Sequence, residues 1–197
     1  MRIKYQNWST DIFDGFYESN LFNSDTELYL TEMLQEKDEE YEISNFEAYQ
    51  EDISQKASEL LEEICKSSII KSIKYLSITS PRYYNYSTDK LNLLIDVNLT
   101  KLKKYINKNK TAFDKYLKEN FTSYDGFISF VDNNYKDFIH TYKTDKSEKE
   151  RCINVMLEYY ILEKIKDSDY HQELYEYNAE IQLYYYAEKI EESKNYA

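Results

Sequence analysis

Glycine, proline, histidine and cysteine are nearly missing from this 197-residue sequence, with 2, 1, 2 and 2 residues respectively. Gly15 and Gly126 stand far apart, so neither a G-x-G-x-x-G turn nor a G-x-x-x-x-G-K loop can be built. Both glycine-rich phosphate cradles are thereby excluded. Two histidines and two cysteines do not supply a Cys/His zinc site of the usual spacing, and no other metal site or cofactor is expected. No apolar run approaches the ~18 residues that span a membrane. The start, Met1 to Trp8, is polar and lacks the apolar segment of a secretory signal. A cytoplasmic, reducing setting is the expectation, with Cys65 and Cys152 as core residues rather than a disulfide.

What is abundant is tyrosine, at 23 residues, with 22 Lys, 18 Ile and 15 Asn. All four have A/T-rich codons, whereas Gly, Pro, Ala and Arg, with G/C-rich codons, total only 12. Genome composition accounts for much of this bias and points to a low-G+C bacterium, its phage or a mobile element. Tyrosine remains high after that correction. Its apolar ring and single hydroxyl suit half-buried positions and interfaces.

The formal net charge of -12 is sorted along the chain. Residues 1–66 hold 17 acids and 5 bases, residues 67–120 hold 4 acids and 11 bases, and residues 121–197 hold 16 acids and 9 bases. We read one domain, 1–197, in three parts: acidic and helical, a basic hairpin and helix, then acidic and helical. An acidic total disfavours nonspecific nucleic-acid binding, and the basic middle leaves a local exception.

Hydrophobic periodicity predicts an α+β fold, mostly helical, with a small antiparallel sheet around residues 68–98. Capping boxes at Ser24–Glu27, Ser44–Glu47 and Ser147–Glu150 mark three helix starts. After Ser44, Ile53, Ala57, Leu60, Leu61 and Ile64 recur at helical spacing. After Ser147, Ile153, Met156, Leu157, Tyr160, Ile161 and Ile165 do the same. Ser68 to Ile78 is β-branched, and Lys90 to Asn98 alternates with Leu91, Leu93, Ile95 and Val97 on one face, which reads as strand. Met1 to Trp8 offers an edge strand. Leu99 to Asn120 reads as a basic helix broken near Asn109. Phe127 to Tyr142 and Tyr170 to Tyr196 read as further helices.

The most unusual local sequence is Ser80-Pro81-Arg82-Tyr83-Tyr84-Asn85-Tyr86-Ser87-Thr88-Asp89, between the two strands. As a recognition loop, Tyr83, Tyr84 and Tyr86 would stack on a base or partner side chain while Arg82 pairs with a phosphate or carboxylate and Asn85 and Asp89 add polar contacts. As a structural turn, Pro81 sets the bend and the tyrosines pack across the hairpin. An enzyme would use Arg82, Tyr84 and Asp89, but nothing in the sequence tunes a group for acid–base work. His140 and His171 lie in helical stretches and read as surface or core-edge residues. Asp11–Asp14 and Asp167–Asp169 are spacings that chance supplies in so acidic a chain. No catalytic residue is assigned.

Two charged surfaces remain. The acidic N-terminal third, with Glu36, Asp38, Glu39 and Glu40, has carboxylates spaced to occupy a cleft that another protein builds for phosphates. Its plain reading is a solvated face. The basic stretch carries Lys101, Lys103, Lys104, Lys108, Lys110, Lys115 and Lys118, interleaved with Tyr105, Phe113, Tyr116 and Phe121. That is the composition of a single-strand-binding surface. The plain reading, which the charge balance favours, is that this face neutralises the acidic helices of the same chain.

Glu18-Ser19-Asn20-Leu21-Phe22-Asn23-Ser24-Asp25 with the acidic helices that follow, and the Ser80–Asp89 loop, resemble uncharacterised accessory proteins of phages and mobile elements of gut bacteria. The resemblance covers a small part of the chain and follows a loose pattern. It implies a small phage-type effector, such as an inhibitor of a host nuclease or restriction system, and no catalytic residues.

The leading expectation is therefore a non-enzymatic interaction protein that binds and blocks or modulates a nucleic-acid-handling protein, a nuclease or DNA-binding protein of host or phage, through acidic, tyrosine-rich surface. The first alternative is direct nucleic-acid binding through residues 101–118, with Lys103, Lys104 and Lys108 as contacts, and the loop. The second is a small enzyme centred on Arg82, Tyr84 and Asp89.

Overall fold

The computed structural model describes residues 1–8, 46–79, 90–120, 134–174 and 176–177. The fold is α+β: mostly helical, with one small antiparallel sheet. In chain order the elements are β1 (Arg2–Trp8), α1 (Phe46–Cys65), β2 (Ile70–Thr79), β3 (Lys90–Val97), α2 (Leu99–Lys108), α3 (Lys110–Asn120), α4 (Tyr135–Thr144) and α5 (Lys149–Lys166).

The sheet has the order β1–β3–β2, with both pairings antiparallel. The alternation in β3 dictates its placement. Leu93, Ile95 and Val97 are buried together, and register sets Ile3 and Ile73 on either side of Ile95. Asn92, Leu94 and Asp96 take the half-buried opposite face, as period two requires. The pairing of β2 with β3 shifts between Ile70 and Ser72 and again between Tyr75 and Ser77. The expected edge strand at the start of the chain is present as β1, beside β3.

Helix α5 is the centre of the core. Cys152, Ile153, Val155, Met156, Leu157, Tyr159, Tyr160, Ile161 and Ile165 are all buried. These positions fall on every side of the helix, the mark of an interior helix. Helices α1, α2 and α4 all pack against it. Helix α1 contributes Ala57, Leu61 and Cys65, one turn apart, and its buried Ser54 and Ser58 return their hydroxyls to the carbonyls of Gln50 and Ser54. Those back-bonds let two polar side chains sit in the interior without an unpaired donor. Phe113 of α3 stands edge-on to Phe138 of α4 and Tyr159 of α5, with ring centres 5.1 Å away in both cases.

Two expectations are corrected. Ser147 does not open a capping box: its hydroxyl bonds the Asp145 carboxylate, and Glu148 precedes α5 with no side-chain cap. Asp145 competes successfully for Ser147 because it already accepts the Ser147 and Glu148 amides. The helix expected over Phe127–Tyr142 is not continuous, because Asn134 is extended (φ -144°, ψ 152°) and caps α4 by accepting the Asp137 amide at 3.0 Å. An Asx residue is strongly preferred at this position. The boxes at Ser24 and Ser44, the stretch before residue 134 and most of the expected C-terminal helix lie outside the described residues. Residues 171–174 and 176–177 are helical there, with Leu174 buried.

Candidate functional site

The basic stretch is the one predicted site that falls within the described residues. Arg82, Tyr83, Tyr84, Asn85, Tyr86 and Asp89 lie outside them, as do Glu36, Asp38, Glu39 and Glu40. Helix α2 forms where expected because Asn98 caps it, its Oδ1 accepting the Lys101 amide at 3.1 Å. It ends at Asn109, whose amide bonds back to Tyr105 and Ile106 and whose side chain bonds the Tyr105 carbonyl at 2.9 Å. Asn109 is then the hinge from which α3 starts, the Phe113 amide donating to its carbonyl.

Helical period divides the two helices. Leu102 and Ile106 of α2, and Phe113, Tyr116 and Leu117 of α3, are buried. All seven lysines are exposed. The rings interleaved with them in sequence are therefore separated from them in space. Phe113 and Tyr116 are core residues, and half-buried Tyr105 stands edge-on to Tyr160 at 4.9 Å. None of these three is available as a stacking platform, and Phe121 lies outside the described residues.

The lysines have unequal surroundings. Lys115 pairs with Glu119 at 3.5 Å and Lys118 with Asp114 at 2.6 Å, each within α3. Asp114 also accepts the Tyr135 amide of α4 at 2.7 Å. The Lys118 hydrogen bond, with that amide, holds its carboxyl below the usual carboxylate range. Lys103 instead lies 5.5 Å from the ring centre of Tyr142 in α4, with Lys149 of α5 at 5.7 Å from the same ring. Two cations attracted to one ring form a small basic focus joining three helices. Lys101, Lys104, Lys108 and Lys110 have no carboxylate within ion-pair distance among the described residues, and α2 itself contains no acid. Among the described residues no carboxylate of α1 pairs with these lysines, and the acidic stretch before residue 46 lies outside them. Tyr142 lies half-buried, packed against the core on one side and beside Lys103 and Lys149 on the other.

A second polar group lies beneath the surface. Glu158 of α5 accepts the hydroxyls of Tyr5 at 3.0 Å and Tyr116 at 2.6 Å, tying the sheet and α3 to the central helix. Tyr160 shares a hydrogen bond with Ser67 at 2.9 Å. Burial, aided by nearby Glu163 and Tyr105, pushes the Tyr159 phenol up to about 12. Burial also lifts the Cys65 thiol to about 12, against the pull of Lys164, and the Cys152 thiol to about 11. Both cysteines are free and buried, and at neutral pH they are packed thiols rather than nucleophiles. The tyrosines in the described core thus join helices by ring contact and hydrogen bond.

Among the described residues no cluster of three or more His, Cys, Asp or Glu is arranged to hold a metal ion, and no helix is long and apolar enough to cross a membrane. His140 and His171 are exposed, as are Asp167 and Asp169. No protein-family model, curated protein or solved structure matches the chain.

Proposed function

We propose that this protein works by binding rather than by catalysis, and that the lysine face of α2 and the start of α3 takes the phosphate backbone of a nucleic acid. The observation that carries this reading is the set Lys101, Lys104, Lys108 and Lys110, exposed and without carboxylate partners among the described residues of an acidic chain. Unpaired surface cations release no internal partner when they meet a phosphate, so their attraction is retained for the ligand. Lys103 and Lys149, held on Tyr142, extend the face across α4 and the start of α5. The aromatic side chains of α2 and α3 point inward, which favours tracking of the backbone over stacking of bases. The contact residues of the acidic-surface reading lie outside the described part of the chain.

The test is binding of labelled single-stranded and duplex DNA by fluorescence anisotropy across a salt series. Four lysine contacts predict a slope of log K against log salt of about -3 to -4. Replacing Lys101, Lys104, Lys108 and Lys110 together with alanine should abolish that salt-sensitive component. Absence of salt-sensitive binding to either form would remove the proposal.

A further inference from the structure

A groove of about 270 Å³ runs between α1 and β2, lined by Gln55, Ser58 and Glu59 on one side and Ile73, Lys74 and Tyr75 on the other. The strand that lines it is the outer one of the sheet. Strand β2 has β3 on one side, and among the described residues no strand pairs with the other. The Ile73 amide points outward along that edge, since it donates to Glu62 Oε2 at 2.8 Å. In an antiparallel ladder a residue's N–H and C=O share a side, so the Ile73 carbonyl faces the same edge. Glu62 thus stands where the carbonyl of a neighbouring strand would stand.

The charges around the groove say what fits. Among the described residues Glu59 receives the Gln55 side-chain amide, at 3.0 Å, and no cation, and Glu51 and Glu63, exposed on the same helix, have no basic partner. Lys71 and Lys74 of β2 are exposed and likewise lack a carboxylate among the described residues. Lys74 lies on the sheet face opposite buried Ile73. A second copy pairing β2 against β2 would bring these lysine rows together, and like charges across a strand pair are destabilising.

We infer that the groove takes an extended segment of another protein as a fourth strand beside β2. Its side chains alternate, basic towards α1 and acidic towards Lys74, and its main chain takes the edge that Glu62 guards. This surface is independent of the lysine face of α2.

The experiment uses the full chain, isotope-labelled, with a blocked octapeptide of alternating Lys and Glu as the probe. Binding should shift the amides of Ile73, Lys74 and Tyr75 and of residues 55–59. Glu62→Ala frees the Ile73 amide, so strand addition predicts binding tightened about threefold to tenfold, the worth of one net hydrogen bond. Simple attraction of a charged peptide to an acidic helix predicts the opposite sign. Glu59→Lys should weaken binding about twofold to fivefold. Glu62→Gln, which keeps the shape and an acceptor, should fall between the parent and Glu62→Ala, and the amide mapping on the unaltered chain needs no substitution. The inference is overturned if no shift appears at Ile73–Tyr75 up to about 1 mM peptide, an affinity floor near 4 kcal/mol. It is also overturned if Glu62→Ala weakens binding, or if the same amides shift with protein concentration alone, which would assign the groove to a second copy.

Discussion

Helix α5 buries side chains on every side, whereas α2, packed against it, buries only Leu102 and Ile106. Their charges differ in the same sense. Glu158 of α5 is held by two tyrosine hydroxyls, one of them from the sheet. On α2, Lys101, Lys104 and Lys108 stand in solvent with no carboxylate partner among the described residues. A group tied into the core has its hydrogen-bonding capacity spent on the fold, so substituting it tests stability. A group left without a partner costs the fold little to keep or lose, so substituting it tests function.

The largest effect should come from α5. Leu157 is fully buried, and Leu157→Ala should lower the unfolding free energy by about 2–5 kcal/mol in urea denaturation, the range for a large apolar side chain cut from a packed core. A loss below that range would mean that α5 is less central than its burial implies. A smaller, pH-confined effect follows from the groups on and around α5 whose protons the fold retains. Cys65, Cys152 and Tyr159 are lifted to about 12, 11 and 12 from ordinary values of 9.0, 9.0 and 10.0. Up to about pH 8 they are protonated folded and unfolded alike, and stability should be level with respect to them. As pH rises from about 8 towards 12 the unfolded chain gives up protons that the folded chain keeps, so stability should fall. Urea midpoints from neutral to alkaline pH measure this, and Tyr159→Phe should flatten the upper part of the decline. The smallest effect belongs to α2, where Lys104→Ala should leave the unfolding free energy within about 0.5 kcal/mol. A larger loss would show that Lys104 serves the fold and would blur the contrast between the two helices.

The strands and the longest helices were legible because their periods are clean. Leu93, Ile95 and Val97 alternate and are buried, and Ile153, Met156, Leu157, Tyr160, Ile161 and Ile165 recur at helical spacing and are buried. The break at Asn109 was legible from an Asn that ends one helix and starts the next. What period could not show is that Cys152, Val155 and Tyr159 are buried as well, because an interior helix has no polar side to mark its orientation. Ser147 and Asn134 went astray for a local reason: several polar side chains compete for the same backbone amides, and only geometry says which wins. The lysines were legible as a charged stretch. Their separation from Phe113 and Tyr116 was implicit in the same helical period, but their division into paired and unpaired groups needed the neighbours in space.

The bond from Tyr5 to Glu158 joins residues 153 apart in sequence, and the strand that carries Tyr5 pairs with β3, most of the way through the first hundred residues. During synthesis at ~5–20 residues per second, β1 leaves the ribosome roughly 8–30 s before the helix that anchors it. β3 begins 88 residues after β1, so for roughly the first 4–18 s the strand with Ile3 and Tyr5 lacks its ladder, and until α5 follows it lacks its carboxylate. The sheet therefore closes late, and the nascent chain passes through a state in which an unpaired strand edge is open to chaperones or to other chains.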